Sequence, residues 1–461
     1  MKPGASPLTE GPIARTLFRF TMPILFGNAL QSLNGSVNSV WVGKYLGEAA
    51  LTATSNANSI MFLLLGGAFG VSMAATILVA QHVGGKRPDA ARQVVGASAV
   101  FFASVAIVLS LLGWLSADAL LGAMHTPADA LPFARSYLRI IFVALPFLYL
   151  YTYIIAVLRG AGDSRTPFRF LVLSVALDIA LNPILIFGFG PVPRLGIAGS
   201  ALATLIANVI SLVALIAHLY RRHDPLCLRG GDVALLRFDW TIIRTLVTKG
   251  LPMGLQMIVI SANGVAMITL VNRFGSDTTA AYGAAWQLWN YVQMPAFALG
   301  AAVSSMAAQN VGAGRWDRVG RIAGVGVLFN VLLTGFVVAL IDALNAHALG
   351  LFLPAGPALE IARHLNVIGS PSFVFFGISM VLFGVVRATG AVVPPLLSLF
   401  FALWLVRLPF ASLLLPVWGA DAIWWSFPLS AIVAASLAIA YYRFGGWRRA
   451  RMTRADVSGI A

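Results

Sequence analysis

Residues 81–89 read QHVGGKRPD, and residues 309–317, at an offset of 228, read QNVGAGRWD. The segment LRGAG at 158–162 is matched by VRATG at 386–390 with the same offset. Three single residues near the start of each half match at an offset of 229: Pro23 with Pro252, Asn34 with Asn263, and Val42 with Val271. Agreement at three separate places indicates an internal duplication of the chain.

Long apolar runs surround these motifs. Of the 461 residues, 59% are hydrophobic and 10% are charged, which is unlike a soluble globular protein. One crossing of a hydrocarbon core about 30 Å thick needs roughly 20 apolar residues in a helix. The runs are continuous rather than alternating, which favours helices over a β-barrel. We predict twelve transmembrane helices, at 17–40, 51–80, 94–117, 132–157, 167–189, 196–219, 245–272, 279–308, 322–345, 364–386, 392–416 and 420–443.

The duplication and the helix count together predict an all-α membrane protein with two six-helix lobes. Because six is an even number of crossings, both lobes share one topology and are related by a pseudo-twofold axis along the membrane normal. We expect a cleft between such lobes near the bilayer midplane, where transporters of this architecture bind substrate. The predicted parts are an N-terminal lobe (1–220), a cytoplasmic linker (221–244), a C-terminal lobe (245–443) and a basic cytoplasmic tail (444–461).

The net charge of +15 lies between the apolar runs. If the chain starts inside, 24 of its 31 basic residues fall on the cytoplasmic side. By the positive-inside rule both termini are predicted to be cytoplasmic. This distribution explains the basic charge without a nucleic-acid partner. Cys227 is the single cysteine, so an intramolecular disulfide is excluded.

The motifs and their order resemble the multidrug and toxic compound extrusion (MATE) family over essentially the whole chain. They are Pro23, VGKYLG at 42–47, QHVGG at 81–85, LRGAGD at 158–163 with Thr166-Pro167, LNP at 181–183, GIAGSALAT at 196–204, and the echoes at Gln309 and Arg387. The resemblance implies export of small amphipathic or cationic organic compounds by alternating access, coupled to inward flow of H+ or Na+. It implies a multi-pass protein of a bacterial inner (cytoplasmic) membrane, in contact with membrane lipid, working as a monomer without other cofactors.

The family's kinship with flippases for lipid-linked sugars supplies an alternative function. A flippase for a pyrophosphate-linked sugar is expected to line its cavity with several arginines, whereas this chain has one mid-span arginine. An ATP-driven pump is disfavoured because there is no GxxxxGK[ST] loop. A membrane enzyme would need a nucleophile, a metal cluster or paired carboxylates within the spans. The chain has one mid-span acid only, so we predict a transporter and no enzyme.

Asp178 is the one of the sixteen acidic residues predicted to lie in the middle of a span. Asn182 follows on the same helical face. Because a buried ionisable group in a membrane is costly, we take Asp178 as a functional residue that could take up and release a proton. The resemblance implies a cation site built from the first, fifth and sixth spans, and the matching positions are Asn38, Asp178, Asn182 and Thr204.

Asn38 stands where relatives carry a first-span carboxylate, so this site has one acidic ligand. Sodium binding by oxygen ligands and simple protonation therefore both stay open. A protonated acid with only a structural role, bonded to Asn38 or Asn182, is a third interpretation. Other members use acids in the seventh and tenth spans, but Ile260 and Phe376 mark apolar surroundings there.

Further polar and aromatic residues are predicted to line the substrate cavity. Arg407 is the one basic residue in mid-span, near the repeat position of Asp178; it could pair with an anionic substrate group, repel a competing cation, or pack structurally. The other candidates are Gln31, Asn34, Asn58, Asn263, Trp286, Asn290 and Gln293. Unpaired amides are costly in lipid, so these side chains face protein or water, and interhelical hydrogen bonding explains them as well as cavity lining does.

Overall fold

The computed structural model describes residues 8–190 and 193–452, without the side chain of Leu63. Residues 453–461 of the predicted basic tail lie outside this description. The helices are α1 (Ile13–Leu46), α2 (Glu48–Gly84), α3 (Pro88–Ala123), α4 (Leu131–Ala161), α5 (Arg165–Phe187), α6 (Ile197–Arg221), α7 (Trp240–Val271), α8 (Ser276–Val292), α9 (Met294–Gly312), α10 (Trp316–Ala343), α11 (Asn345–Gly350), α12 (Pro357–Gly369), α13 (Ser372–Arg387), α14 (Val393–Phe400), α15 (Leu408–Trp418) and α16 (Ala420–Phe444).

The all-helical membrane prediction is confirmed. Within the described residues, nine helical stretches are long and apolar enough to cross a membrane, and the pair α12 and α13, bent by 42°, makes a tenth. The two other predicted spans coincide with α1 and with the pair α8 and α9. Polar side chains at Asn28, Gln31, Asn34 and Asn38 make α1 less apolar than its neighbours.

Two predicted spans contain local breaks. The eighth span is interrupted at Gln293, between α8 and α9. The eleventh contains a π-helical segment, Phe401–Arg407, between α14 and α15. A π-helix widens the turn and leaves the usual backbone register, and such segments are frequent at functional sites.

By internal contacts the chain forms two compact units. The N-terminal unit is Phe26–Gly250, and the C-terminal unit contains the described residues up to Leu25 together with those from Leu251 onward. The unit boundaries fall inside α1 and α7, whereas the predicted lobe boundaries follow the loops, and the lobe assignment stays a prediction.

Apolar side chains on the outside of the helices fit a lipid environment. On α3 these side chains are between 54% and 64% exposed: Ile107, Val108, Leu111, Leu112 and Leu115. Four polar residues discussed below lie on other helices and are buried: Asp178, Asn182, Asn263 and Ser430. This distribution is expected where backbone groups are satisfied within helices and apolar side chains contact lipid.

Close packing of α5 against α6 prepares the site in the N-terminal unit. Gly199 in α6 lies against the backbone of α5, and a Cβ there would overlap the carbonyl group of Leu185. The connection is further fixed by two backbone hydrogen bonds of 3.1 Å, from Leu195 to Leu185 and from Gly196 to Ile186. Small residues allow this close approach of helices in membranes. It brings the first turns of α6, which carry Thr204, beside the second half of α5.

Candidate functional site

The Asp178 carboxylate is the centre of a polar cluster in the N-terminal unit. Asp178 is 3% exposed, and Asn182, one turn further along α5, is fully buried. The carboxylate oxygen Oδ2 accepts hydrogen bonds from the side-chain amides of Asn34 and Asn38 on α1, both at 2.9 Å. Two amides of α1 thus bind α5 at the same oxygen.

The other carboxylate oxygen of Asp178 faces α6. Oδ1 accepts a hydrogen bond of 3.0 Å from the Thr204 hydroxyl and a longer one of 3.4 Å from the Asn182 amide. The Asn182 amide also donates at 2.8 Å to Oδ1 of Asn38 and to the backbone carbonyl of Asp178. The structure therefore brings together Asp178, Asn38, Asn182 and Thr204, and it adds Asn34, which was predicted to line the cavity.

Neutral groups alone contact this carboxylate within residues 8–190 and 193–452. Its hydrogen-bond donors are three amides and one hydroxyl, and no basic side chain forms an ion pair with Asp178 in this part of the chain. An ionised carboxylate accepts hydrogen bonds only, so this donor set suits the charged form. These dipoles can solvate a charged carboxylate, and no counterion lies beside it in the described chain.

Two amide oxygens beside the carboxylate are left over. Oδ1 of Asn34 and Oδ1 of Asn182 are buried, and neither has a hydrogen-bond partner in the described chain. Buried polar atoms normally find a partner, so an orphaned oxygen calls for an explanation. Together with the carboxylate and the Thr204 hydroxyl, these oxygens form a donor set of the kind that hard cations prefer.

Arg407 organises a second polar group, in the C-terminal unit. Its Nε donates to the Ser430 hydroxyl at 2.8 Å, and its Nη1 donates to the Asn263 amide oxygen at 3.2 Å. The guanidinium carbon lies 4.3 Å from the ring centroid of Phe427. Asn263, 1% exposed, also donates to the carbonyl of Leu403 at 2.8 Å.

A pocket opens beside Arg407. It is a small, partly open pocket with a volume of about 60 Å³. Asn263, Trp286, Gln293 and Arg407 line it, and Asn290 adjoins it through a hydrogen bond of 3.0 Å from Gln293. Five of the predicted cavity residues are thus neighbours.

Two of the predicted cavity residues are exposed. Gln31 on α1 and Asn58 on α2 have exposed side chains. Ser430 and Phe427 hold Arg407 but were not predicted from the sequence. A serine and a phenylalanine are common in apolar helices, so the sequence does not mark them as site residues; only the packing of α16 shows their contact with Arg407.

Ionisable groups within the spans, such as the Asp178 cluster in one unit and the Arg407 pocket in the other, are features of membrane transporters. The model of the MatE family matches residues 23–184 and 252–413. The chain therefore belongs to the MATE family of multidrug efflux transporters, and it is a transporter and not an enzyme.

Individual relatives agree with this assignment. The chain is 36% identical to the probable multidrug resistance protein YoeA of Bacillus subtilis (strain 168), and the match covers 95% of each chain. Among solved structures it is similar to an outward-facing multidrug resistance MATE family transporter of the MOP superfamily, with a TM-score of 0.89 at 19% identity, over 96% of this chain and 98% of the other. A crystal structure of MATE in complex with MaL6 gives a TM-score of 0.88 over the same shares. The predicted fold class is confirmed.

Proposed function

We propose that this MATE transporter exports small amphipathic organic compounds, including cationic ones, by alternating access coupled to the inward movement of H+ or Na+ at Asp178. The observation that carries the proposal is the buried Asp178 carboxylate, which accepts hydrogen bonds from four neutral side chains and has no counterion in the described chain. A charge held this way in a membrane is costly, and uptake of one cation removes the cost.

The hydrogen bonds around Asp178 differ between the ion-free carboxylate and the carboxylate that has bound H+ or Na+. A proton on one carboxylate oxygen makes that oxygen a donor and a weaker acceptor, so the amide or hydroxyl that donated to it must reorient to accept a hydrogen bond or keep a weaker one. A sodium ion requires oxygens instead, which Asn34, Asn182 and Thr204 can supply. Either ion therefore loosens hydrogen bonds that join α1, α5 and α6. Ion occupancy is in this way coupled to the packing of three helices.

The proposal also covers the orientation of the chain in the membrane and the oligomeric state that transports. Both termini are proposed to lie in the cytoplasm of a bacterial cell, because the basic residues concentrate in the connections on that side. One chain contains both polar groups, so we propose that the monomer transports.

The experiment is gradient-driven transport of ethidium by purified protein in liposomes, with a pH gradient or a sodium gradient applied singly. The gradient that drives transport identifies the coupling ion. We expect Asp178→Asn to abolish gradient-driven transport, since an amide cannot be protonated and carries no charge. Asp89→Asn is the matched control, because the Asp89 side chain is 92% exposed. Undiminished transport by Asp178→Asn would contradict the proposal.

A further inference from the structure

The pocket around Arg407 holds a positive charge that no acidic side chain balances in the part of the chain that the structure describes. Its hydrogen-bond partners, Asn263 and Ser430, are neutral. The contact with the Phe427 ring stabilises the cation without cancelling its charge. An arginine within a membrane span usually faces a partner of opposite charge or a water-filled cavity, and such residues mark substrate pathways.

Some N–H groups of the Arg407 guanidinium are not used in these hydrogen bonds. The guanidinium carries five N–H groups in a fixed planar fork, and two nitrogens, Nε and Nη1, each use one in the contacts above. Within residues 8–190 and 193–452, Nη2 has no acceptor, and Arg407 remains partly exposed towards the pocket it lines. The two terminal nitrogens therefore offer the parallel N–H pair that binds a carboxylate or a related oxyanion in bidentate fashion.

The backbone that precedes Arg407 departs from the α-helix. The π-helical segment Phe401–Arg407 ends at this residue. Two side chains fix the segment to α7: the Asn263 amide donates to the Leu403 carbonyl at 2.8 Å, and the Trp404 indole donates to the Val259 carbonyl at 3.2 Å. A π-segment held by such contacts orients the guanidinium at a defined place, which an ordinary lipid-facing arginine would not need.

The other walls of the pocket are apolar and aromatic. Trp286, Phe373 and Phe376 contribute rings, and Ile260 and Met267 contribute aliphatic surface. A few fixed polar groups in an otherwise apolar concavity are typical of a small-molecule site, in which the polar group sets the orientation. These walls complement an apolar ring that carries an anionic group at one end.

We propose that the pocket of the C-terminal unit is a substrate subsite, in which Arg407 binds the carboxylate, or a similar oxyanion, of an amphipathic aromatic compound. The transporter then accepts zwitterionic and anionic amphiphiles and prefers them to purely cationic analogues. This inference rests on the proposed export function for its physiological meaning. The subsite itself lies within one unit and is separate from the Asp178 cluster.

The test uses two dyes that differ at one group. Rhodamine 110 carries a free carboxylate, and rhodamine 123 is its methyl ester. Fluorescence polarisation with purified protein measures the affinity for each dye. We expect the wild type to bind rhodamine 110 more tightly than rhodamine 123. Because Arg407→Gln removes the charge that pairs with the carboxylate, it should weaken rhodamine 110 binding by roughly tenfold or more and leave the ester unweakened.

A second substitution keeps the test decisive if Arg407→Gln does not fold. Gln293→Glu changes one pocket-lining side chain to a carboxylate of the same size and leaves Arg407 in place. Since it adds a negative charge, it should weaken the binding of rhodamine 110 and strengthen that of rhodamine 123. Equal effects on both dyes would overturn the proposal.

Several further dye-binding results would contradict the proposed subsite. A wild type that prefers the ester, or an Arg407→Gln variant that binds rhodamine 110 as the wild type does, would overturn the proposal. If Arg407→Gln tightens ester binding alone, the charge serves to repel cations and the subsite is again excluded. Asp178→Asn should keep the carboxylate preference even where it abolishes gradient-driven transport, so the failure of one proposal is distinguishable from the failure of the other.

Discussion

The side-chain amide of Asn34 donates a hydrogen bond of 2.9 Å to the carboxylate of Asp178, 144 residues further along the chain. In the second repeat the amide oxygen of Asn263 accepts a hydrogen bond of 3.2 Å from Arg407, again 144 residues further along. The duplication has kept the asparagine and its partner position but reversed the charge of the partner. An amide permits this because it can donate to an anion and accept from a cation. The two repeats are thereby suited to different ions.

The Thr204 hydroxyl should contribute directly to ion coupling. A hydrogen bond to a charged group is worth about 1.5–3 kcal/mol, so its loss should change ion affinity by roughly tenfold or more. We expect Thr204→Val, which keeps the shape and removes the hydroxyl, to change the ion concentration at which transport in liposomes is half-maximal. For H+ this concentration should fall, because the charged carboxylate loses a donor that stabilises it. For Na+ it should rise, because the site loses an oxygen ligand.

Thr204→Ser is the control for this measurement, because it retains a hydroxyl within reach of Asp178. It should behave nearly as the wild type. If the serine and valine variants have the same ion dependence, the 3.0 Å contact between Thr204 and Asp178 plays no part in coupling.

Packing of α5 on α6 should depend on Gly199. A methyl group at this position meets the backbone of Leu185 and Ile186, which cannot turn aside as a flexible side chain could. Gly199→Ala should therefore lower the melting temperature of the purified protein and reduce the yield of monodisperse material.

Gly122→Ala is the matched control, since an added Cβ there has no atom within 4 Å in the described structure. Alanine is otherwise more favourable than glycine in a helix by about 0.5–1 kcal/mol, so this variant should be as stable as the wild type or more stable. Equal melting temperatures for the two variants would show that the close approach at Gly199 is not limiting.

Cys227 reports the orientation of the chain in the membrane. It lies between α6 and α7, and a membrane-impermeant maleimide should label it in inside-out vesicles but not in intact spheroplasts. Labelling of intact spheroplasts would contradict the cytoplasmic placement of the connection 221–244 and of both termini.

The pH dependence of the same labelling has a predicted sign. Burial raises the pKa of the Cys227 thiol, Asp224 raises it further, and Arg229 lowers it in part. Because the thiolate is the reactive form, labelling near neutral pH should be slower than that of unfolded protein and should accelerate as the pH rises. A rate that does not change between neutral and alkaline pH would contradict this expectation.

Sequence reasoning found the centre of the N-terminal cluster for physical reasons. A lone carboxylate in mid-span is conspicuous, and the four-residue spacing places Asn182 on its face. Asn38 and Thr204 came from the family resemblance. The sequence predicts Asn34 in the cavity instead, because one-turn spacing shows that Asn34 and Asn38 share a face but not that both reach the same carboxylate oxygen.

The C-terminal pocket was harder to predict. Arg407 stood out by its charge, whereas the π-helical segment that ends there leaves no mark on hydrophobic periodicity averaged over a span. The break at Gln293 is hidden for the same reason. Ser430 became visible only through its hydrogen bond to Arg407. Spans and charges are local properties of the sequence, while these contacts depend on helix packing.

The most direct test of the central claim is infrared difference spectroscopy of the purified transporter, recorded while the coupling ion or a substrate is added. If Asp178 changes its ion occupancy during transport, the wild type should show a carboxyl or carboxylate band that shifts on addition. That band should be missing from Asp178→Asn and present in Asp89→Asn. An identical difference spectrum in the wild type and Asp178→Asn would contradict the account.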